Sequence, residues 1–449
     1  MRQYDSDDFD TNAKLREEID AELAMLCDRV RILHAKRNTL SSLYRLPPEL
    51  LVRIFKEHQE NVVQSLNLDE NEKYGAWIRV LQISQYLREI GLQSPELWSN
   101  IMVTDRRWIS KSIELSRSND LNIGVWLNDE DLVKPVKQIM AESERISALN
   151  LAIGQPYWEE FLPRFKMPAP RLTTLRLRAY IGDSDDPPSI PIDLFSGTHP
   201  RLTRLFVTSF DVDLESPLFT KTNLSNLSLI SPGNVFPISE ILCVLQRLPG
   251  LRSLVLRHTL ATGDPGGGCP IPLPSLTSLQ LEHEVEKINN DFLVSLILPE
   301  TTNIDLSSFA IDSLTQDLID STMDSVKRAT QNPSLVFREI QIDWGTQSLV
   351  MVCMKQSGSG KLSSPFVRIK FAFASRPTQE GRETWLTTLP NWLLLPIEVL
   401  RFQGRGPTSQ ETWDYLSRTI LNLQHLVLST GVLLYYFIVH PILQPPIPG

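Results

Sequence analysis

Leu172-Thr173-Thr174-Leu175-Arg176-Leu177 returns along the chain as Leu202-Thr203-Arg204-Leu205-Phe206-Val207, Leu224-Ser225-Asn226-Leu227-Ser228-Leu229, Leu251-Arg252-Ser253-Leu254-Val255-Leu256 and Leu276-Thr277-Ser278-Leu279-Gln280-Leu281. The second leucines, at 175, 205, 227, 254 and 279, step by 30, 22, 27 and 25 residues. Inside each hexad the last two apolar residues are two apart, the period of a strand with one buried face. Between hexads, Ile238, Ile241, Leu242, Leu245 and Leu248 follow helical spacing and are ended by Pro249-Gly250; Trp413, Leu416, Ile420 and Leu423 do the same later. A unit of strand, loop and helix this short cannot bury its leucines alone and must stack on its neighbours.

The spacing is that of leucine-rich repeats. The fold class predicted is therefore α/β, a short helical module followed by an irregular leucine-rich-repeat solenoid, or horseshoe. Weaker copies extend the array at 146–151, 301–306, 337–342, 397–402 and 424–428, and an earlier strand is expected at 121–127. The asparagine that many such repeats carry is missing, with Tyr180, Phe210, Pro232, Thr259 and Glu284 near its position, so the copies are divergent. Residues 182–191, 263–274 and 356–364 are rich in turn formers and read as solvated connections, the last of them a break in the array.

Upstream, Leu15, Ile19, Leu23, Leu26, Val30 and Leu33 alternate mostly in steps of four and three among charged residues, predicting an amphipathic helix with a narrow apolar seam. Whether the seam packs on its own chain or on a second copy stays open. Next, Pro47-Pro48-Glu49 predicts a helix start, because proline is tolerated in the first turn and a carboxylate favours the positive end of the helix dipole. Leu50, Leu51, Ile54 and Phe55 then make a wide apolar stripe, and Trp77, Val80, Leu81, Ile83, Leu87, Ile90 and Leu92 continue at helical spacings. So few short helices cannot bury that much apolar surface among themselves.

The chain has 449 residues, with 44 Lys and Arg against 53 Asp and Glu and a net charge of -9, the wrong sign for broad nucleic-acid binding. Cys27, Cys243, Cys269 and Cys353 lie far apart, and the seven histidines include no HExxH pair, so neither a disulfide framework nor a metal site is predicted. Ser357-Gly358-Ser359-Gly360-Lys361-Leu362 lacks the first glycine and the final Ser or Thr of a phosphate-binding loop. No catalytic set, cofactor or metal is expected. The polar, acidic start carries no secretory signal, and the apolar stretch 431–443 is shorter than the ~20 residues a membrane span needs. The expectation is a cytoplasmic or nuclear protein with no membrane or nucleic-acid partner.

Leu46-Pro47-Pro48-Glu49-Leu50-Leu51-Val52-Arg53-Ile54-Phe55, then Trp77, then the closing Leu92-Gln93-Ser94-Pro95-Glu96-Leu97-Trp98 together resemble the F-box. The likeness is greatest to the fungal, basidiomycete-type branch, whose F-box ends in a Ser-Pro-x-Leu-Trp turn. In the middle, Ile83-Ser84-Gln85-Tyr86-Leu87-Arg88 keeps the apolar residue and the arginine of the family's run but not its cysteine and tryptophan. The resemblance implies a non-catalytic substrate receptor of a cullin-based ubiquitin ligase of the SCF type. A Skp-family adaptor, and through it a cullin, would bind at Leu46, Pro47, Pro48, Leu50, Leu51, Ile54, Phe55, Trp77, Pro95, Leu97 and Trp98. The other reading is a binding scaffold whose F-box-like helices cap the repeats.

The domain boundaries expected are a disordered acidic start (1–12), the seam helix (13–40), the F-box-like module (41–101), the solenoid (105–443) and a proline-rich tail (444–449). On the exposed strand face, Arg176, Arg178, Arg204, Phe206 and Arg257 are the candidate substrate-binding residues, and guanidinium groups suit an acidic or phosphorylated protein segment.

Overall fold

The computed structural model describes residues 6–428 apart from 65–76, 104–105, 128, 183–185, 198, 264–268, 312–314, 334, 345–347, 355–366, 374–385, 388, 390, 395 and 405–408. The turn-rich stretch 356–364, the apolar stretch 431–443 and the tail 444–449 therefore lie outside the described residues. The chain divides into two compact units, Met1–Ile139 and Met140–Gly449. Among the described residues no helix is long and apolar enough to cross a membrane.

The first unit is mainly helical. Helix α1 (Ser6–Thr39) starts inside the stretch expected to be disordered, and Lys36 and Arg37 in its last turn suit the negative end of its dipole. Its seam residues Leu15, Ile19, Leu23, Leu26, Val30 and Leu33 are each between 49% and 54% exposed, so the seam is not packed on the rest of the described chain. A 3-10 turn (Ser42–Arg45), capped by the Ser41 hydroxyl, leads into α2 (Pro48–Gln64), which starts on a proline with Glu49 in its first turn. Helix α3 (Gln85–Gln93) is capped by Ser84, whose Oγ accepts from the Leu87 N–H at 3.2 Å. The Arg88 Nε donates to the Leu81 carbonyl at 3.1 Å, tying α3 to the turn before it.

The core of this module is Leu51, Phe55, Trp77, Ile78, Leu81, Leu87, Ile90, Leu97 and Trp98. Trp77 and Trp98 meet edge to face with centroids 5.2 Å apart, and the Trp98 Nε1–H donates to the Gly91 carbonyl at 2.8 Å. Strand β1 (Asn100–Val103), α4 (Arg106–Leu115), β2 (Leu121–Leu127) and most of α5 (Val133–Met140) belong to the same unit. The compact unit that holds the helical module therefore extends past residue 105 to Ile139. β1 follows Trp98 almost directly and pairs in parallel with β2 from Asn100↔Asn122 to Val103↔Val125, so no linker separates it from the helices.

The second unit is a large, open, mostly parallel sheet with helices between strands. Its strands are β3 (Ile146–Gly154), β4 (Thr174–Tyr180), β5 (Arg204–Thr208), β6 (Asn226–Ile230), β7 (Ser253–Arg257), β9 (Ser278–His283), β11 (Asn303–Ile311), β12 (Glu339–Trp344), β13 (Ser348–Met354), β14 (Val367–Phe373), β15 (Val399–Gly404) and β16 (His425–Leu428). They lie side by side in the order β3-β4-β5-β6-β7-β9-β11-β14-β13-β12-β15-β16. Short β8 (Ile271–Pro272) and β10 (Leu296–Ile297) form a separate parallel pair. The connecting helices are α6 (Gln155–Phe165), α7 (Pro217–Thr220), α8 (Ile238–Gln246), α9 (Glu286–Val294), α10 (Gln316–Ala329), α11 (Asn391–Leu394) and α12 (Gln410–Thr419). Not every connection is helical: between β7 and β9 the described residues hold β8 and no helix.

The five hexads are β4, β5, β6, β7 and β9, and all their leucines are buried. They stay in register because Leu175, Leu205, Leu227, Leu254 and Leu279 occupy one level across the sheet. The residue after each first leucine adds a ladder of its own. Thr173 donates both its N–H and its hydroxyl to the Ser147 carbonyl at 2.7 and 2.9 Å, and Thr203 does the same to Thr173, Ser225 to Thr203 and Thr277 to Arg252. This ladder gives the strand-entry carbonyls two donors each at the half-buried end of the sheet. At the other end Ser209, Ser231 and His258 take left-handed φ values of 58°, 43° and 49°, each donating its N–H to the next strand.

The pattern breaks at β13 and β14. β13 runs antiparallel to both neighbours, and this pair is inserted between β11 and β12. The continuous array expected through 301–342 is therefore interrupted in space.

Two buried histidines, His199 and His283, are expected to make the second unit acid-sensitive. Burial lowers His199 and His283 from 6.5 to about 4. The His283 Nε2 accepts from the Leu260 N–H at 3.2 Å and its Nδ1 meets the Asn289 Oδ1 at 2.8 Å, so the neutral ring braces β9 against α9. Unfolding raises both histidines to their ordinary value, so the unfolded chain binds more protons between pH 6.5 and 4, and stability falls as pH drops through that window. Each ring contributes at most about 1.4 kcal/mol per pH unit. Thermal melts at pH 7 and pH 5 should show a larger drop for the wild type than for His199→Gln with His283→Gln; equal drops would refute the assignment.

Candidate functional site

Two surfaces collect the residues singled out in the sequence. On the helical module, the wide apolar stripe of α2 splits in two. Leu51 and Phe55 are 0% and 3% exposed and face the core, whereas Leu50 and Ile54, four residues apart on the neighbouring stripe, are 46% and 45% exposed. Pro47 and Pro48 are exposed, Leu46 and Pro95 are half-buried, and Trp77, Leu97 and Trp98 are sealed in the core. The eleven expected contact residues thus do not form one surface. Leu51, Phe55, Trp77, Leu97 and Trp98 hold α2 in place, and Pro47, Pro48, Leu50 and Ile54 are what a partner can touch.

Beside them, Pro48, Glu49, Val52, Tyr86, Glu89 and Ile90 line a groove between α2 and α3, with Gln93, Ser94 and Glu96 at its end. Tyr86 is fixed by stacking on Tyr44 at 4.7 Å between centroids. Ile83, at 64% exposure, adds apolar surface at the start of α3. Glu89 and Glu96, which join Glu49 around an apolar floor, were not singled out in the sequence, because the three come from separate elements and only the α2–α3 packing brings them together.

The second surface is the exposed face of the parallel sheet. Arg176 and Arg178 project from β4 with Leu175, Leu177 and Ala179 buried between and beside them. Register sets Arg176 opposite Phe206, Arg178 opposite Thr208, and Arg204 opposite Thr174. The Arg176 guanidinium sits over the Phe206 ring at 4.5 Å from its centre, a cation–π contact that holds the arginine without neutralising it. Among the described residues, no carboxylate pairs with Arg176, Arg178 or Arg204.

Arg257 differs. It lies directly across from Glu282 on β9 and pairs with it at 3.2 Å, so it is removed from the candidate set of free cations. Further along, Asp305 on β11 faces Arg368 on β14 at 3.6 Å, and burial raises the Asp305 pKa while Arg368 and Arg257 oppose the rise. Lys370 lies over the Phe309 ring at 5.8 Å. These last contacts depend on β14 standing next to β11, which the hexad spacing did not announce. The face thus carries free arginines at β4 and β5 and internally paired charges from β7 to β14.

Among the described residues no group of three or more His, Cys, Asp or Glu is placed to hold a metal ion. No family model matches the chain, and no curated protein matches it.

Proposed function

We propose that this chain is a substrate receptor of a cullin-based ubiquitin ligase. In this reading the helical module is an F-box that docks a Skp-family adaptor. The parallel sheet and its helices are a divergent leucine-rich-repeat solenoid, and its exposed strand face holds the protein to be modified. The chain performs no bond chemistry itself. It raises the local concentration of substrate lysines near a conjugating enzyme carried by the rest of the complex.

The main support is Leu50 and Ile54, two large apolar side chains left in solvent on a helix whose inner stripe is already locked into a complete core. Covering the exposed half of each is worth about 0.7 to 1.5 kcal/mol, so such a pair marks a face suited to a protein partner. The test is direct binding of the purified full chain to a purified Skp-family adaptor by calorimetry. A dissociation constant in the micromolar range or below supports the proposal. No binding at adaptor concentrations of about 100 µM would favour the scaffold reading, in which the module serves only as a cap.

A further inference from the structure

The least explained surface of the molecule is α1. It runs for 34 residues with its seam in solvent, and a folded chain rarely leaves a continuous apolar row of this length uncovered. Ile19, Leu23, Leu26, Val30 and Leu33 follow the alternating three and four spacing of a coiled coil, and Met25 and Ile32 widen the strip beside them. We infer that α1 pairs with α1 of a second copy of this chain, and that the two helices run antiparallel.

The orientation comes from charge. Glu17, Glu18, Asp20 and Glu22 outnumber Lys14 and Arg16 before the middle of the seam, and Arg29, Arg31, Lys36 and Arg37 outnumber Asp28 after it. The helix dipole would account for such a bias only in the first and last turns, and these charges reach well into the helix interior. In a parallel pair each acidic half would lie against its own copy. The residues flanking the seam would then meet as Glu22 with Cys27 and Arg29 with His34, without one opposite-charge pair.

In an antiparallel pair centred near residue 28, Leu23 meets Leu33, Leu26 meets Val30 and Glu22 meets Lys36, each twice by symmetry. Arg29 beside its own copy is the one like-charge contact. The isologous interface closes on itself, so the product is a dimer and not a filament. This inference concerns α1 alone and stands whether or not the module binds an adaptor.

The same centre puts Cys27, which is exposed and free, close to its symmetry mate. The test uses the full chain with Cys243→Ser and Cys269→Ser, so that Cys27 is the remaining exposed thiol. A short bis-maleimide should join two copies through Cys27. When the thiol is moved by Cys27→Ser with Asp20→Cys, the two copies of position 20 lie about 24 Å apart along the axis, and crosslinking should be lost.

Light scattering should give twice the chain mass for the wild type. Leu26→Asp with Val30→Asp should weaken the dimer at least a hundredfold with an unchanged melting temperature. Glu22→Lys and Lys36→Glu should each weaken it, and together restore it. A monomer at all concentrations up to tens of micromolar would overturn the inference, as would equal crosslinking at positions 20 and 27.

Discussion

Leu50→Asp combined with Ile54→Asp is expected to weaken adaptor binding at least a hundredfold while leaving the melting temperature within a degree or two of wild type. Both side chains are nearly half exposed, so polar replacements cost the free protein little. At an interface they remove two apolar contacts of about 0.7 to 1.5 kcal/mol each and add two charges whose desolvation costs more than the contacts themselves. The Skp-family calorimetric titration measures the first effect and differential scanning calorimetry the second. Leu51→Ala with Phe55→Ala should behave in the opposite way. Each opens a cavity in the module core at a cost of about 2 to 5 kcal/mol, so the helices melt and binding falls as a secondary result. If the exposed pair also destabilised the fold, these residues would be packing against the chain and the proposed docking face would be wrong.

The second large effect is expected on the sheet. Arg176→Ala, Arg178→Ala and Arg204→Ala together should lower capture of acidic or phosphoserine peptides at least a hundredfold, since up to three charge-assisted contacts of about 1.5 to 3 kcal/mol disappear. These arginines are exposed and carry no ion pair among the described residues, so the melting temperature should hold. Arg257→Ala is the control. Its guanidinium already answers Glu282, and its loss should leave peptide capture within a factor of about three. Selection from a randomised phosphopeptide library on wild type and triple variant reads both. Identical enrichment on the two would show that the arginine face is not the binding site.

Much of the sheet could be read before any coordinates, and the reason is local. In Leu-x-x-Leu-x-Leu every alternate residue of a strand is apolar, and the fixed interval between copies makes neighbours in sequence neighbours in space, as β4 through β9 illustrate. Ser348-Leu349-Val350-Met351-Val352-Cys353 also alternates, but alternation says that a strand has a buried face and not which strand lies beside it. The insertion of β13 and β14 between β11 and β12 was illegible for that reason.

The same limit applied to the sites. Leu50, Leu51, Ile54 and Phe55 are equally apolar, so composition could not tell the inner stripe of α2 from the outer one; the positions of Trp77 and Trp98 decide it. Arg257 matched the other face arginines in pattern, and its cancellation by Glu282 depends on a cross-strand register that only pairing defines.

The inserted strands also govern how the sheet comes apart under load. From β3 to β7, adjacent strands in the sheet are consecutive in the chain, and β9 follows after short β8, so tension applied along the chain is expected to peel this stretch one strand at a time. Beyond β15, the next stretch of chain reached by the same pull is β14, which lies in the sheet's interior with β11 on one side and β13 on the other. With β15 gone, β12, β13 and β14 hold one another and are joined to the rest of the sheet through the single β11–β14 ladder. Residues 339–373 are therefore expected to leave as one block, adding a contour of about 120 Å in a single step where the other strands leave singly.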